Sequence, residues 1–423
     1  MRPTVSHRPA PAKVRPAIEE IIRAGAVRAV YQPIVALPDG EPVGYEALAR
    51  GPQGSALESP LALFAAARDA GLLGELEWAC RAAALRGALA AGLPDSVALF
   101  LNVEPSLADD PPPAWGHDLF EEARGRLRLV FEITERALAE RPADLLRRVQ
   151  RLRALGGAIA IDDVGAEPRS LALMPFLEPD VIKLDLRLVQ RRHSTDAARI
   201  MHAVSAEAER SGARAVAEGI ETPAQARRAL VLGADLGQGW LYGRPGALPG
   251  AAGAVAQPVT PRPVRELTAA TPFGIVATER TVRRGAKRLL LEISREIEAR
   301  AGQEGEEAVL LATFQEVHHF TARSAGRYAA LSGSAAFVGA LGRGLGTQPA
   351  AGVRGGDLTA DDPLRAEWNV AVVGPHFAAA FVGRDLGDGG ADMDRRFEFA
   401  ITHDRALAIR AATAMMARVS PLA

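Results

Sequence analysis

Six short apolar runs in the first 240 residues each carry a carboxylate, an amide or a lysine at or near their end. They are VGYEALAR with Glu46, VALFLNV with Asn102, LRLVFEIT with Glu132, AIAIDDV with Asp162 and Asp163, DVIKLDL with Lys183 and Asp185, and RAVAEGI with Glu218. Helix-length segments separate them. Strand-like runs alternating with helices imply parallel pairing and an α/β class. Polar groups at the C-terminal ends of successive strands are how a β/α barrel assembles an active site. Several carboxylates converging on one point need a cation to neutralise them.

Helical segments read at 12–25, 60–71, 74–91, 143–155, 195–211 and 223–232. With roughly eight strand candidates in about 230 residues, a closed barrel fits better than an open sheet. After Pro245 the composition changes. GALPGAAGAVAQPVTPRPVRELTAA is rich in Gly, Ala and Pro without apolar periodicity, and reads as a linker. Beyond it, TVRRGAKRLLLEISREIEARAG has a helical pattern with Leu289, Leu290, Ile293 and Ile297 on or near one face. AVLLATFQ, AAFVGALG, WNVAVVG and FAAAFVGRDL read as four short strands, and a last helix is expected over 404–419. The expected division is an N-terminal arm at 1–14, a barrel at 15–246, a linker at 247–270 and a smaller α/β domain at 271–423. No internal repeat links the two domains.

The formal net charge of -1 gives no global reason to expect a nucleic-acid polymer or an anionic membrane as partner. Cys80 is the only cysteine, which excludes an intramolecular disulfide and fits a reducing compartment. Its alanine-rich surroundings mark it as a small core residue rather than a reactive thiol. The basic, proline-containing start lacks the apolar core of a signal peptide, and no run of about 18 apolar residues offers a membrane span. A soluble, cytoplasmic protein is expected.

Eight segments carry a resemblance: YQPIV at 31–35, YEALAR at 45–50, NVEPS at 102–106, FEITE at 131–135, IDDVG at 161–165, VIKLD at 181–185, AEGIET at 217–222 and GQGWLYGRP at 237–245. In this order and spacing they make the first 245 residues resemble the EAL domain, the cyclic-di-GMP phosphodiesterase family. The resemblance implies a modified (β/α)8 TIM-type barrel with one antiparallel strand. It also implies hydrolysis of cyclic di-GMP to linear pGpG.

Carried over residue by residue, it implies metal ligands at Glu46, Asn102, Glu132, Asp162, Asp163 and Glu218. Asp163 would serve the second ion of a two-metal Mg²⁺ or Mn²⁺ site. Hard oxygen ligands suit those ions, and a metal pair stabilises both attacking and leaving oxygens. Adjacent strand residues point to opposite faces, so Asp162 and Asp163 can share a site only where the strand ends; Gly165 then lets the chain turn. Lys183 fits a group that orients the attacking water beside the developing charge. On the substrate side the resemblance places Gln32, Leu48, Arg50, Asp185 and Gln238, with the Arg50 fork suited to a phosphate. Asp185 and Glu221 stay open between site and scaffold. Family members often dimerise, but no residue pattern here shows it.

The family's loop after the paired aspartates commonly reads DDFGTGYSS, whereas this chain reads DDVGAEPRS at 162–170. Glu135 would anchor that loop, but Ala166 removes its usual hydroxyl partner, and Arg169 offers a substitute ion pair. The altered loop keeps a second reading open: a cyclic-di-GMP receptor without turnover. A third is an interaction protein that kept only the barrel. The C-terminal domain resembles the DICT sensory domain, through KRLLLEISREIEARAG, VLLATFQEVHHFTARSAGRYAAL and FVGRDL. That implies a signal-input module whose ligand is unknown. His318 and His319 lack further metal ligands nearby and read as structural or surface residues. GRGLG at 342–346 lacks a phosphate-loop lysine and reads as a turn.

Overall fold

Strand β1 (Arg28–Ala36) passes into β2 (Pro42–Arg50) through residues 37–41. A crossover to a parallel neighbour takes a dozen or more residues, so this connection can make only an antiparallel hairpin. The turn closes when the Ala36 N–H donates to Glu41 O at 2.9 Å, with Gly40 at φ 74°. The computed structural model describes residues 14–103, 113–134, 140–165, 171–190, 195–249, 258–264, 270–388 and 391–421.

Six more strands follow: β3 (Ala98–Asn102), β4 (Arg128–Thr134), β5 (Ala158–Val164), β6 (Val181–Leu184), β7 (Arg214–Ala217) and β8 (Leu236–Gln238). Together β1 to β8 form a closed barrel in chain order. β1 runs antiparallel to both β2 and β8, while β2–β3, β3–β4 and β7–β8 pair parallel. β1 is thus the reversed strand that the resemblance implied.

Helices over Pro60–Ala70, Leu73–Ala90, Pro142–Ala154, Thr195–Ser211 and Pro223–Val231 stand where the apolar spacing put them. Ser59 starts the first by accepting from the Ala62 N–H, and a Thr222/Gln225 capping box starts the last. The helix Val14–Arg23 buries Ile18 and Ile21 in a cluster with Leu63, Ala66 and Leu76. Phe100 and Phe131 are fully buried, each contributing about 1.5–3 kcal/mol. No helix among the described residues is long and apolar enough to cross a membrane. Within the expected linker Val259 is buried, and Arg128 Nη1 donates to its carbonyl at 3.0 Å.

The C-terminal domain is built on a seven-stranded mixed sheet, richer than the four strands read from the sequence. Its strands are β9 (Arg283–Ala286), β10 (Val309–Glu316), β11 (Phe337–Arg343), β12 (Arg354–Asp357), β13 (Glu367–Val373), β14 (Ala378–Asp385) and β15 (Arg396–Thr402). Their order is β12-β11-β10-β13-β14-β15-β9. β10–β11 and β11–β12 are parallel; the other pairs are antiparallel.

Two expectations are corrected here. Arg283–Ala286 pairs with Arg396–Phe399 as edge strand β9, so the helix begins only at Lys287. Edge pairing outweighs the weak local helix preference of TVRRGA. In that helix, Leu290 and Ile297 enter the core, while Leu289, one 100° step away, is 62% exposed. The last helix spans Arg405–Met416, started by Asp404, whose carboxylate accepts from the Leu407 N–H. GRGLG does form a turn: Gly344, at φ 77°, donates its N–H to Asp357 Oδ1 at 2.7 Å.

Candidate active site

β2 is buried over Val43–Ala47 and β3 over Ala98–Leu101, and the polar residues Glu46 and Asn102 lie where neighbouring strands bring partners. Glu46 is 8% exposed, yet both its oxygens are bonded. Asn102 Nδ2 donates to Oε1 at 3.1 Å, and Gln238 Nε2 donates to Oε2 at 2.7 Å. Gln238 Nε2 also lies 3.4 Å from Gln32 Oε1, and Gln32 Nε2 donates to Gly243 O at 3.2 Å. Four strands thereby contribute to one hydrogen-bonded chain of amides with the Glu46 carboxylate within it. These bonds follow from register: Gln32 pairs with Glu46, Ile34 with Gln238, and Asn102 with the buried Glu132.

On β5 the paired aspartates lie within the strand rather than just past it. Asp163 has φ 58°, a left-handed conformation that costs a non-glycine residue about 1–3 kcal/mol. That reversal breaks the strand's alternation. It is why the Asp162 and Asp163 carboxylates can lie on the same side, here at the C-terminal end of β5 just before its last residue, Val164. Gly165 follows at φ 96°, where a Cβ would meet Leu188 Cδ1 at 2.9 Å. One ligand atom each from Asp162, Asp163 and Glu218 lies within 4.8 Å of the others. Lys183 is 1% exposed, and its Nζ lies 3.1 Å from Asp162 Oδ1. Glu46 and Glu132 do not belong to that three-carboxylate group.

Other expected residues are placed as follows. Leu48 pairs across from Val30. Arg50 is half-buried, with Nη1 donating to Ala49 O at 2.7 Å. Glu221 is exposed, and its N–H donates to Gln225 Oε1 at 2.7 Å as the following helix starts. Asp185 is held by Arg187, which donates from its backbone N–H and Nε, both at 2.8 Å, and from Nη2 at 3.2 Å. The bond to Asp185 and its charge raise the Arg187 pKa. Arg187 was not singled out in the sequence; the Asp-X-Arg spacing was its only signal. Glu135, Ala166 and Arg169 lie outside the described residues.

The donor set is entirely oxygen. Three carboxylates gathered together, one of them paired with Lys183, leave net negative charge, and a hard divalent cation is the chemistry that relieves it. The residues therefore fit Mg²⁺ or Mn²⁺. Burial pushes the Cys80 thiol up to about 12, with Glu77 adding to the rise, so it is not a nucleophile at neutral pH.

Residues 15–245 match the EAL domain model, and residues 276–386 match the model of a sensory domain in diguanylate cyclases and two-component systems, DICT. The cyclic di-GMP phosphodiesterase RocR of Pseudomonas aeruginosa is 32% identical over 239 residues, 54% of this chain and 61% of that protein. The probable cyclic di-GMP phosphodiesterase PdeI of Escherichia coli is 29% identical over 238 residues, 54% of this chain and 30% of that protein. A solved Klebsiella pneumoniae BlrP1 complex with manganese and cyclic di-GMP is 32% identical, covers 52% of this chain and 56% of that one, and has a TM-score of 0.46. The chain spans less than two thirds of the length of these curated relatives. With more than half of its 423 residues matched and a DICT sensory domain following, the chain belongs to the EAL-domain family.

Proposed function

We propose that the barrel is a metal-dependent phosphodiesterase that hydrolyses cyclic di-GMP to linear pGpG, and that the C-terminal sensory domain regulates it. The observation that carries this reading is the group formed by Asp162, Asp163 and Glu218, with Lys183 Nζ 3.1 Å from Asp162. Glu46, Asn102, Glu132, Asp162, Asp163 and Glu218 would hold two Mg²⁺ or Mn²⁺ ions. Bound there, such ions lower the pKa of water and neutralise charge on the phosphodiester.

The chain's own residues do the rest. Lys183, held in place by Asp162, donates a hydrogen bond to the attacking water and offsets negative charge on the pentavalent phosphoryl group. The water gives up a proton as its oxygen forms the new P–O bond, the P–O bond to one ribose 3′ oxygen breaks, and that oxygen takes up a proton in exchange. The second diester survives, which yields the linear dinucleotide. Gln238 and Asn102 keep both Glu46 oxygens in fixed directions. Gln32, Leu48, Arg50 and Asp185 lie on the substrate side. Arg187 fixes the Asp185 carboxylate in one orientation.

The test is incubation of the full chain with cyclic di-GMP and Mg²⁺ or Mn²⁺, with pGpG separated by chromatography and Glu46→Ala as control. Metal-dependent pGpG formation that the substitution removes is the expected result. Binding of cyclic di-GMP without pGpG would replace this reading with a receptor; absence of both would leave the barrel an interaction module.

A further inference from the structure

The C-terminal domain holds a cavity of ≈ 80 Å³ that opens to solvent, lined by the helix Lys287–Glu304, the end of β10 and the start of the helix Ala322–Ser332. Its apolar wall is Phe314, Trp368 and Phe397. Trp368 stands edge-on to Phe397, with ring centres 5.6 Å apart and planes at 72°. Phe314 is braced edge-on by Phe320 at 4.8 Å and Tyr328 at 5.4 Å. A rigid aromatic wall of this kind receives a flat ring.

The polar lining is unbalanced. Lys287, Arg295 and Arg327 face a single carboxylate, Glu298. Both oxygens of Glu298 are already engaged, by Arg327 Nε at 2.7 Å and Tyr328 Oη at 3.0 Å. Lys287 and Arg295 rest on Asp392 and Glu292, whose side chains are 54% and 74% exposed. The exposed Arg295–Glu292 pair is worth little, so an entering anion can replace Glu292 at small cost; Lys287, 14% exposed and bonded to both Asp392 oxygens, stays paired. His319 turns Nδ1 to the Phe314 carbonyl at 3.1 Å; burial, then Lys287 and His318, lower its pKa and keep it neutral.

The backbone beneath the cavity is also unusual. Gln315 has φ 60°, at a break in the β10–β11 register. The break directs its buried amide toward Arg395 Nη2, which donates to Oε1 at 3.1 Å. Bulges next to binding sites re-aim side chains in this way, and left-handed non-glycine residues persist where surrounding contacts hold them.

We propose that this cavity binds a small planar anion, an aromatic or heteroaromatic carboxylate. The ring lies against Phe314, Trp368 and Phe397, and the carboxylate meets the Arg295 and Arg327 guanidinium forks. The site is independent of the phosphodiesterase reading and stands or falls without it.

Isothermal titration of the full chain with benzoate and indole-3-carboxylate, and with their uncharged amides, tests the assignment. At least one carboxylate is expected to bind at least about tenfold more tightly than its amide, roughly 1.4 kcal/mol. Arg295→Glu, at a half-exposed position of its helix, should remove that preference and leave amide binding unchanged. Ser324→Phe, which fills the cavity, should abolish binding of both. Equal affinities for acid and amide would overturn the proposal. So would no binding of any probe at about 1 mM, or unchanged binding in either variant.

Discussion

Gln238 donates from Nε2 to Glu46 Oε2 at 2.7 Å, across a sequence separation of 192 residues. The same carboxylate takes the Asn102 amide on its other oxygen. Gln238→Ala removes the donor that fixes Glu46 Oε2. It is expected to weaken Mg²⁺ or Mn²⁺ binding and pGpG formation about 10–100-fold, as loss of a ligand's outer partner does. Metal titration of the folded variant checks this; unchanged metal affinity would remove Gln238 from the site's support.

Lys183 Nζ lies 3.1 Å from Asp162 Oδ1 in nearly complete burial. If it stabilises charge that develops during hydrolysis, Lys183→Met should lower kcat about 10²–10³-fold while KM changes little. Steady-state kinetics of pGpG formation decides. A raised KM with kcat intact would make Lys183 a substrate-binding group instead.

The barrel was legible because its strands are apolar runs that end on charge, and eight motifs kept their order. Glu46, Asn102 and Gln238 were each visible as residue types, but the hydrogen-bonded chain joining them arises from register between strands distant in sequence. The left-handed turn at Asp163 left no trace, because nothing in IDDVG distinguishes φ 58° from extended backbone. In the C-terminal domain β9 and β12 were hidden for a related reason. RRGA and RGGD lack strand-forming side chains and become strands only by pairing with β15 and β11. The Asp185–Arg187 clamp escaped because two residues of opposite charge at that spacing usually both face water.

Gly239, in GQGWLYGRP, has φ 156°, and a Cβ there would stand 2.1 Å from Ile220 O and 2.3 Å from Ile220 N. Those atoms cannot retreat, since the Ile220 N–H donates to Gln238 O and the Leu241 N–H donates to Ile220 O, each at 3.0 Å. Gly239→Ala must break or stretch both bonds. A loss of about 3 kcal/mol or more is expected, and a fall in Tm of roughly 6 °C or more. Because Gln238 is its neighbour, the metal site should loosen as well. Thermal unfolding within about 1 kcal/mol of the parent chain would show that this segment yields more easily than its bonds imply.

Glu367 opens β13 and is 4% exposed. Burial raises its pKa from the ordinary 4.5, although Thr271, the Phe273 N–H and Asn369 counter this by hydrogen bonding to it. A carboxyl whose folded pKa lies above its unfolded value binds more protons in the folded state. Stability from this group is therefore fully present below about pH 4.5 and is lost as pH rises through the folded pKa. Glu367→Gln removes the titration and keeps an oxygen for the Phe273 N–H. Relative to the parent, the glutamine variant should gain stability progressively as pH increases from 4.5 toward neutrality. Denaturant unfolding of both chains across that range measures the difference. A gap between them that does not change with pH, or one that moves the other way, would mean that hydrogen bonding outweighs burial at Glu367.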